Sequence, residues 1–443
     1  MGGWLSKIFG SKTTIVRAPR PAPARPAAPV AAATPTEPAP AHRYGVRRPL
    51  VGRSGEMAGF EFRLARNLEQ RLQTRPDVAV QAAHVVTLLS AMQSTVQARR
   101  VAMATVSAEV LLRPQVFEQV PAGLHVLVHP WECSDPEAPN RIAALRARGV
   151  LIGRVASEVA QAWPVDFVQL TLHASNVVGF WAQLTDWRSS QPALAVVAMD
   201  LDNMDDIERA LQLGIALAAG RIDRSLIPPE REQRPLQTGT LRLCQLLNEV
   251  MQDRATASVA QDIRADVALS YKLLRFVNSP AVGLSRAVES VDQAVMVLGR
   301  NELYRWLSVL LLSSSEGRGG SKALQEIALA RARLLEGLAH RRNDAVNHPP
   351  AALFTVGLLS LLNVLLQQPL DEVLKPLRLS EPARQVLLDH NGPWAPYLEL
   401  AADLERHDMA SATVNALEFG GVAEVLEISE AAWAWAAGVR GSA

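Results

Sequence analysis

An α/β domain followed by an all-helical domain is the architecture to expect of this chain, and three observations lead to it. At 443 residues it exceeds one typical domain and suggests two to three. Between Pro49 and Ile222 short apolar runs alternate with amphipathic stretches, the pattern of strands linked by crossover helices. Beyond residue 239 the strand signals stop and helical periodicity alone remains. The expected division is a tail over 1–45, an α/β domain over 46–224, a linker over 225–238 and a helical domain over 239–443.

The tail is set apart by composition. Eight prolines fall between Pro19 and Pro40, interleaved with alanine. Proline removes amide donors and fixes φ, so an extended tether is expected there. Across residues 1–50, Lys7, Lys12, Arg17, Arg20, Arg25, Arg43, Arg47 and Arg48 face the single acid Glu37, a local charge of +7. Trp4, Leu5, Ile8 and Phe9 would share one face of a short helix. That tip reads either as a weak dock for an anionic membrane or partner groove, or as a frayed terminus.

In the α/β part, VAMATVS (101–107), HVLVHPW (125–131), GVLIGRV (149–155), DFVQLTL (166–172) and ALAVVAM (193–199) read as buried strands. Helical stretches lie between them at 139–148, 176–188 and 204–213. Strand and helix in alternation imply parallel strands, in an open sheet or a (β/α) barrel. The paired prolines and charges of 223–239 end this pattern. Then Leu243, Leu246, Leu247 and Val250 follow helical spacing, as do Val291, Ala294, Val295 and Leu298. Ser290 with Gln293 makes a capping-box pattern and Gly299 is placed to end that helix. Ser380 is expected to start a further helix, and Gly392 to close it.

Composition excludes several classes. Forty-five basic against 44 acidic residues, a net charge of +1, do not make a surface built to coat nucleic acid, and no specific nucleic-acid partner is expected. Cys133 and Cys244 alone cannot build a disulfide framework or a zinc finger. Apolar runs such as Trp306 to Leu312 are too short to span a bilayer. The expectation is a cytoplasmic, reduced, multidomain protein without a cofactor.

The segment 265–303 resembles the HDOD family, a domain related to the HD phosphohydrolases that lacks their catalytic residues. Asp266, Leu269, Leu273–Leu274, Val277–Asn278–Ser279, the helix opened by Ser290, Ala294 and Leu298–Gly299 carry the likeness. It continues through 328–339, 354–366 and 426–436, and so covers about 235–443. The relatives' His–Asp metal pair would fall on Ser360 and Leu361, which cannot hold a divalent ion. His407–Asp408 lies outside the matching helix and reads as a solvated pair.

The α/β part resembles an EAL domain, the barrel that hydrolyses cyclic di-GMP. PLVGRSGEMAGFEF (49–62) looks like its first strand pair, with Glu61 at the Glu of the name motif. The resemblance places the other functional positions on Thr105, His129, Glu132, Val155, Ala156, Gln169, Thr171, Met199 and Ala219. Two hard divalent ions need several carboxylates; beside the surviving Glu61 this set keeps Glu132, with His129 a poor substitute, and loses the Asp pair, so no catalytic or metal site is expected. Arg63, Arg66 and Arg154, with Glu61, are the candidates for holding the phosphates of a bound nucleotide. Ala65 stands where the family has an arginine.

The domain order implied is a degenerate EAL barrel followed by HDOD, as in bacterial signalling proteins. The function expected is a non-catalytic adaptor that binds signalling proteins. The alternatives are a cyclic di-GMP receptor or, as a third class, a cyclic di-GMP phosphodiesterase. Partner binding is expected around a corner at Asn278, framed by Arg275, Arg286 and Arg305. His84, His125 and His173 read as buried histidines, Cys133 as an ordinary thiol, Trp433 and Trp435 as packing groups, and the glycine-rich 317–320 as a loop without a phosphate role.

Overall fold

The computed structural model describes residues 44–64, 77–130, 133–156, 163–228, 235–252, 254–278, 287–313, 322–406 and 408–440. The proline-rich tail with its Trp4 tip, Arg66, Glu132, Arg286, His407 and the glycine-rich 317–320 lie outside the described residues.

Eight strands close into a barrel in chain order. They are β1 (Tyr44–Gly52), β2 (Met57–Leu64), β3 (Val101–Val106), β4 (His125–Val128), β5 (Leu151–Val155), β6 (Phe167–Thr171), β7 (Ala195–Leu201) and β8 (Leu217–Gly220). β1 runs antiparallel to both neighbours, β2 and β8, while the other pairings are parallel. Among the described residues four longer helices cover the outside: α1 (Val78–Gln97), α2 (Ala138–Ala147), α3 (Val177–Ser190) and α4 (Met204–Gln212). β8 is not among the strands the apolar runs predict, because LAAG lacks the β-branched residues that mark the other runs. β1 starts at Tyr44, so Arg47 and Arg48 leave the basic tail and become strand residues.

Residues alternate across each strand, which sorts them between two cores. Leu50, Met103, Leu127, Phe167, Val197 and Met199 fill the lumen. Residues of the opposite parity, among them Phe62, Ala104, Val126, Ile152 and Val168, pack beneath the helices. Gly153 leaves room for the Phe167 ring, since a Cβ there would come within 2.2 Å of it. The lumen is therefore a packed interior rather than a channel.

Among the described residues the second half is helical: α5 (Thr238–Met251), α6 (Thr256–Arg264), α7 (Val267–Val277), α8 (Val291–Ser313), α9 (Lys322–Arg342), α10 (Pro350–Leu359), α11 (Ala395–Glu405) and α12 (Val422–Arg440), with shorter helices such as Leu362–Leu366, Glu381–Arg384 and Met409–Asn415 between the longer ones. Asp266 caps α7 by accepting from the Leu269 amide at 2.9 Å. The Gln293 amide donates to Ser290 Oγ at 3.3 Å, while the Gln293 side chain takes the Glu289 amide at 3.4 Å, a capping box displaced by one residue. Gly299, at φ 72°, breaks α8 where the sequence places its end. Ser380 precedes the short helix Glu381–Arg384 as expected, but without a side-chain cap bond.

The two halves share an extensive seam. The Trp433 ring of α12 meets Phe60 of β2 edge-on at 5.0 Å. Arg47 of β1 lies 3.4 Å from Glu430, and its guanidinium sits over Phe60 and Phe62. Arg100 pairs with the buried Glu326 at 2.6 Å, and the Ala323 amide donates to the Gly55 carbonyl in the β1–β2 turn. Trp433 thus packs between domains, and Trp435 packs on Phe354.

Candidate functional site

In a barrel of this kind the lumen-facing residues at the C-terminal strand ends are the ones that can meet a ligand. Glu61 and Arg63 on β2, Thr105 on β3, Val155 on β5, Gln169 and Thr171 on β6 and Met199 on β7 have that parity. Glu61 is 1% exposed, and its carboxylate is fully engaged by cations. Arg48, opposite it in register, donates Nε to Oε2 at 2.8 Å, with Nη2 at 2.7 Å. Arg63 donates Nε to the other oxygen at 3.1 Å.

Arg48 also reaches Asp200. The β7–β8 register slips between Ala198 and Leu201, and Asp200 adopts φ 60°. This bulge turns an extra side chain towards the mouth. Burial works against the charge on Arg48, yet Glu61 and Asp200 outweigh it and hold the guanidinium above its ordinary pKa.

The implied metal chemistry does not fit these residues. Glu61 is neutralised by two guanidinium groups, Glu132 lies outside the described residues, and Val155, Ala156 and Met199 offer no carboxylate where the EAL resemblance would place the Asp pair and a Glu. Gln169 Nε2 donates to Thr171 Oγ1 at 3.4 Å, a neutral pair in place of Lys and Asp. Among the described residues no three His, Cys, Asp or Glu side chains gather as a metal-binding group.

Of the residues expected to hold a nucleotide, the structure brings Glu61 and Arg63 together. Arg154 is corrected: strand parity turns it outward, and its guanidinium lies 5.4 Å from the Trp187 ring of α3. Arg66 lies outside the described residues. Sequence reasoning misses Arg48 and Asp200. For Arg48 the signal is parity, since it sits two residues before the inward Leu50; Asp200 follows the inward Met199, where parity alone would turn it outward, and the β7 bulge brings it to the mouth.

At the position of the relatives' His–Asp pair, Ser360 Oγ accepts from Arg331 Nη1 at 2.8 Å and donates to the Gly357 carbonyl. Arg331 is 4% exposed and forms a two-point pair with Glu405. A fixed cation thus stands where a metal would need ligands. Asp408 caps the helix Met409–Asn415 instead of binding metal. Of the histidines, His125 packs against Phe167 at 5.7 Å, whereas His173 is exposed.

The expected partner groove needs a second correction. Arg305 is no surface group: its side chain is 11% exposed, pairs with the buried Glu336 and lies 4.6 Å from the Phe354 ring. Arg286 lies outside the described residues. Arg275 is exposed on α7. Asn278 fixes the corner as expected, taking the Val288 amide at 2.7 Å and donating to the Leu274 and Val288 carbonyls.

The HDOD domain family matches residues 237–379. The second half carries an HDOD domain. The eight-stranded barrel precedes it in the chain. It is 30% identical over 218 residues to the uncharacterized protein YuxH of Bacillus subtilis (strain 168), covering 48% of this chain and 52% of that protein. It is 27% identical over 225 residues to the cyclic di-GMP phosphodiesterase CdgJ of Vibrio cholerae serotype O1, covering 51% of each. The chain spans about half the length of these curated relatives. An EAL domain protein of Listeria monocytogenes EGD-e aligns at 11% identity and a TM-score of 0.33, over 40% of this chain and 86% of that one. Among the described residues no helix is long and apolar enough to cross a membrane.

Proposed function

We propose that this EAL–HDOD protein is a non-catalytic signalling adaptor of the bacterial cytoplasm that works by binding other proteins. The observation that carries the reading is the closure of Glu61 by Arg48 and Arg63 above an apolar lumen. An acid held by two arginines has its charge already cancelled and offers two divalent ions little. The buried pair of Arg331 and Glu405 beside Ser360 supports the same reading for the helical half. The binding surface this leaves is the outer face of the HDOD domain. There Val267, Tyr271, Arg275 and Asn278 follow one another at helical spacing, with Val267 83% and Tyr271 63% exposed.

The test is a turnover assay on the purified full chain with Mg²⁺ or Mn²⁺ and cyclic di-GMP. No hydrolysis is expected; turnover that Glu61→Ala abolishes would overturn the reading.

A second reading, a cyclic di-GMP receptor that does not hydrolyse, is favoured by two observations. One relative is a cyclic di-GMP phosphodiesterase, and Arg63, with 43% of its side chain exposed, stands at the barrel mouth where it can turn to a phosphate. Titration calorimetry with cyclic di-GMP separates it from the adaptor: heat that Arg63→Ala removes supports the receptor.

A further inference from the structure

The same two strands that carry the Arg48–Glu61 pair carry the helical half on their other face. In β1, Arg48 points into the barrel and its neighbour Arg47 points out to Glu430 and the Phe60 and Phe62 rings. In β2, Glu61 points in and Phe60 points out against Trp433. The register pairs Arg48 with Glu61 and Arg47 with Phe62, so inner and outer contacts alternate residue by residue along one ribbon. A shift of the ribbon towards one face is a shift away from the other.

Two further features set this ribbon apart. Register shifts lie on both sides of the segment Arg47–Leu50, between Tyr44 and Arg47 and between Leu50 and Val51, and bulges are the places where a strand changes its aim. The outer seat is also short of charge compensation. Burial pushes Arg47 down to about 10, with a half-exposed Glu430 as its ion-pair partner at 3.4 Å.

We propose that the β1–β2 ribbon is a transmitter: the state of the charge cluster at the barrel mouth sets how firmly α12 and the helical half are seated on the barrel. An anion that draws Arg63 away from Glu61 would leave the acid to Arg48 alone, move the ribbon, and loosen or tighten the contact of Phe60 with Trp433. This concerns regulation of the barrel mouth, and rests on the second reading above, in which that mouth binds an anion.

Hydrogen exchange on the full chain, read by mass spectrometry, tests the coupling without any ligand. Glu61→Gln and Arg63→Gln are compared with the wild type. Arg63 is partly exposed, so its variant keeps the test alive if Glu61→Gln does not fold. The expected result is exchange about tenfold faster or slower across 44–52, 57–64 and 422–440, with 167–171 and 195–198 unchanged within about twofold. Conversely, Trp433→Leu should alter exchange across 57–64. A change confined to β1 and β2 that leaves 422–440 as in the wild type overturns the proposal, as does uniform acceleration of the whole chain. Absence of heat in the calorimetry would defeat the receptor reading while leaving this exchange result standing, so the two can fail separately.

Discussion

Arg48 and Glu61 face each other across the β1–β2 register, Nε 2.8 Å from Oε2, at 5% and 1% exposure. Each is a charge that the barrel tolerates because the other is there. Removing Arg48 leaves the buried Glu61 to the half-exposed Arg63 alone, which costs more than replacing both buried partners.

Arg48→Met should therefore lower stability by about 3–5 kcal/mol, read from urea unfolding of the full chain. Arg48→Met combined with Glu61→Leu should recover most of that loss. A neutral single variant would show that the pair does not hold the barrel mouth shut.

Arg305 and Arg275 should separate cleanly. Glutamate at 305 would face Glu336 and lose the Phe354 ring, so Arg305→Glu should cost about 3 kcal/mol or more. Arg275→Glu lies on the exposed face of α7 and should change stability by less than about 0.5 kcal/mol. If that face binds a partner, Arg275→Glu and Tyr271→Ala lose affinity capture of it from a bacterial lysate at an unchanged melting temperature. Capture that survives both changes would move the surface elsewhere.

Stability should fall as pH drops below neutrality. Burial holds His125 below its ordinary pKa against the pull of Asp166; burial and Arg333 and Arg305 do so for His340, and burial with Arg342 for His348. In the unfolded chain these groups take protons near pH 6.5. Below that value the unfolded state binds more protons than the folded one, so acid favours unfolding. The full contribution is present above about pH 6.5 and is lost downward from there. Denaturant midpoints at pH 7.5 and 5.5 measure it, and an equal or higher midpoint at 5.5 would contradict it.

The two thiols should react differently. Cys244 is 1% exposed and burial pushes its thiol up to about 11, whereas Cys133 is partly exposed. An aromatic disulfide reagent at pH 8 should titrate one thiol per native chain and two after denaturation. Two fast thiols in the native protein would mean that α5 opens readily.

Much of the architecture is legible in the amino-acid sequence, because it rests on local rules. The apolar runs at 101–107, 125–131, 149–155, 166–172 and 193–199 form strands within two to three residues of their expected ends. Ser290, Gly299 and Asn278 act at the corners where their chemistry puts them. The absence of acids at Val155, Ala156 and Met199 is a matter of residue type alone, since valine and methionine cannot coordinate a hard cation in any fold.

What lies beyond the sequence are relations between residues far apart in the chain. Arg48 is one of eight basic residues crowded into 1–50 by composition, and pairing of β1 with β2 and β8 makes it a lumen residue. Arg154 and Val155 are neighbours in sequence, and strand parity alone sends one to the helices and the other to the lumen. Arg305 carries an ordinary surface charge by type, and it is inside because Glu336 and Phe354, 31 and 49 positions later, are folded against it. Periodicity along a chain is a local property and survives in one dimension. Which charges meet, and whether water reaches them, is set by closure of the barrel and packing of the helices upon it.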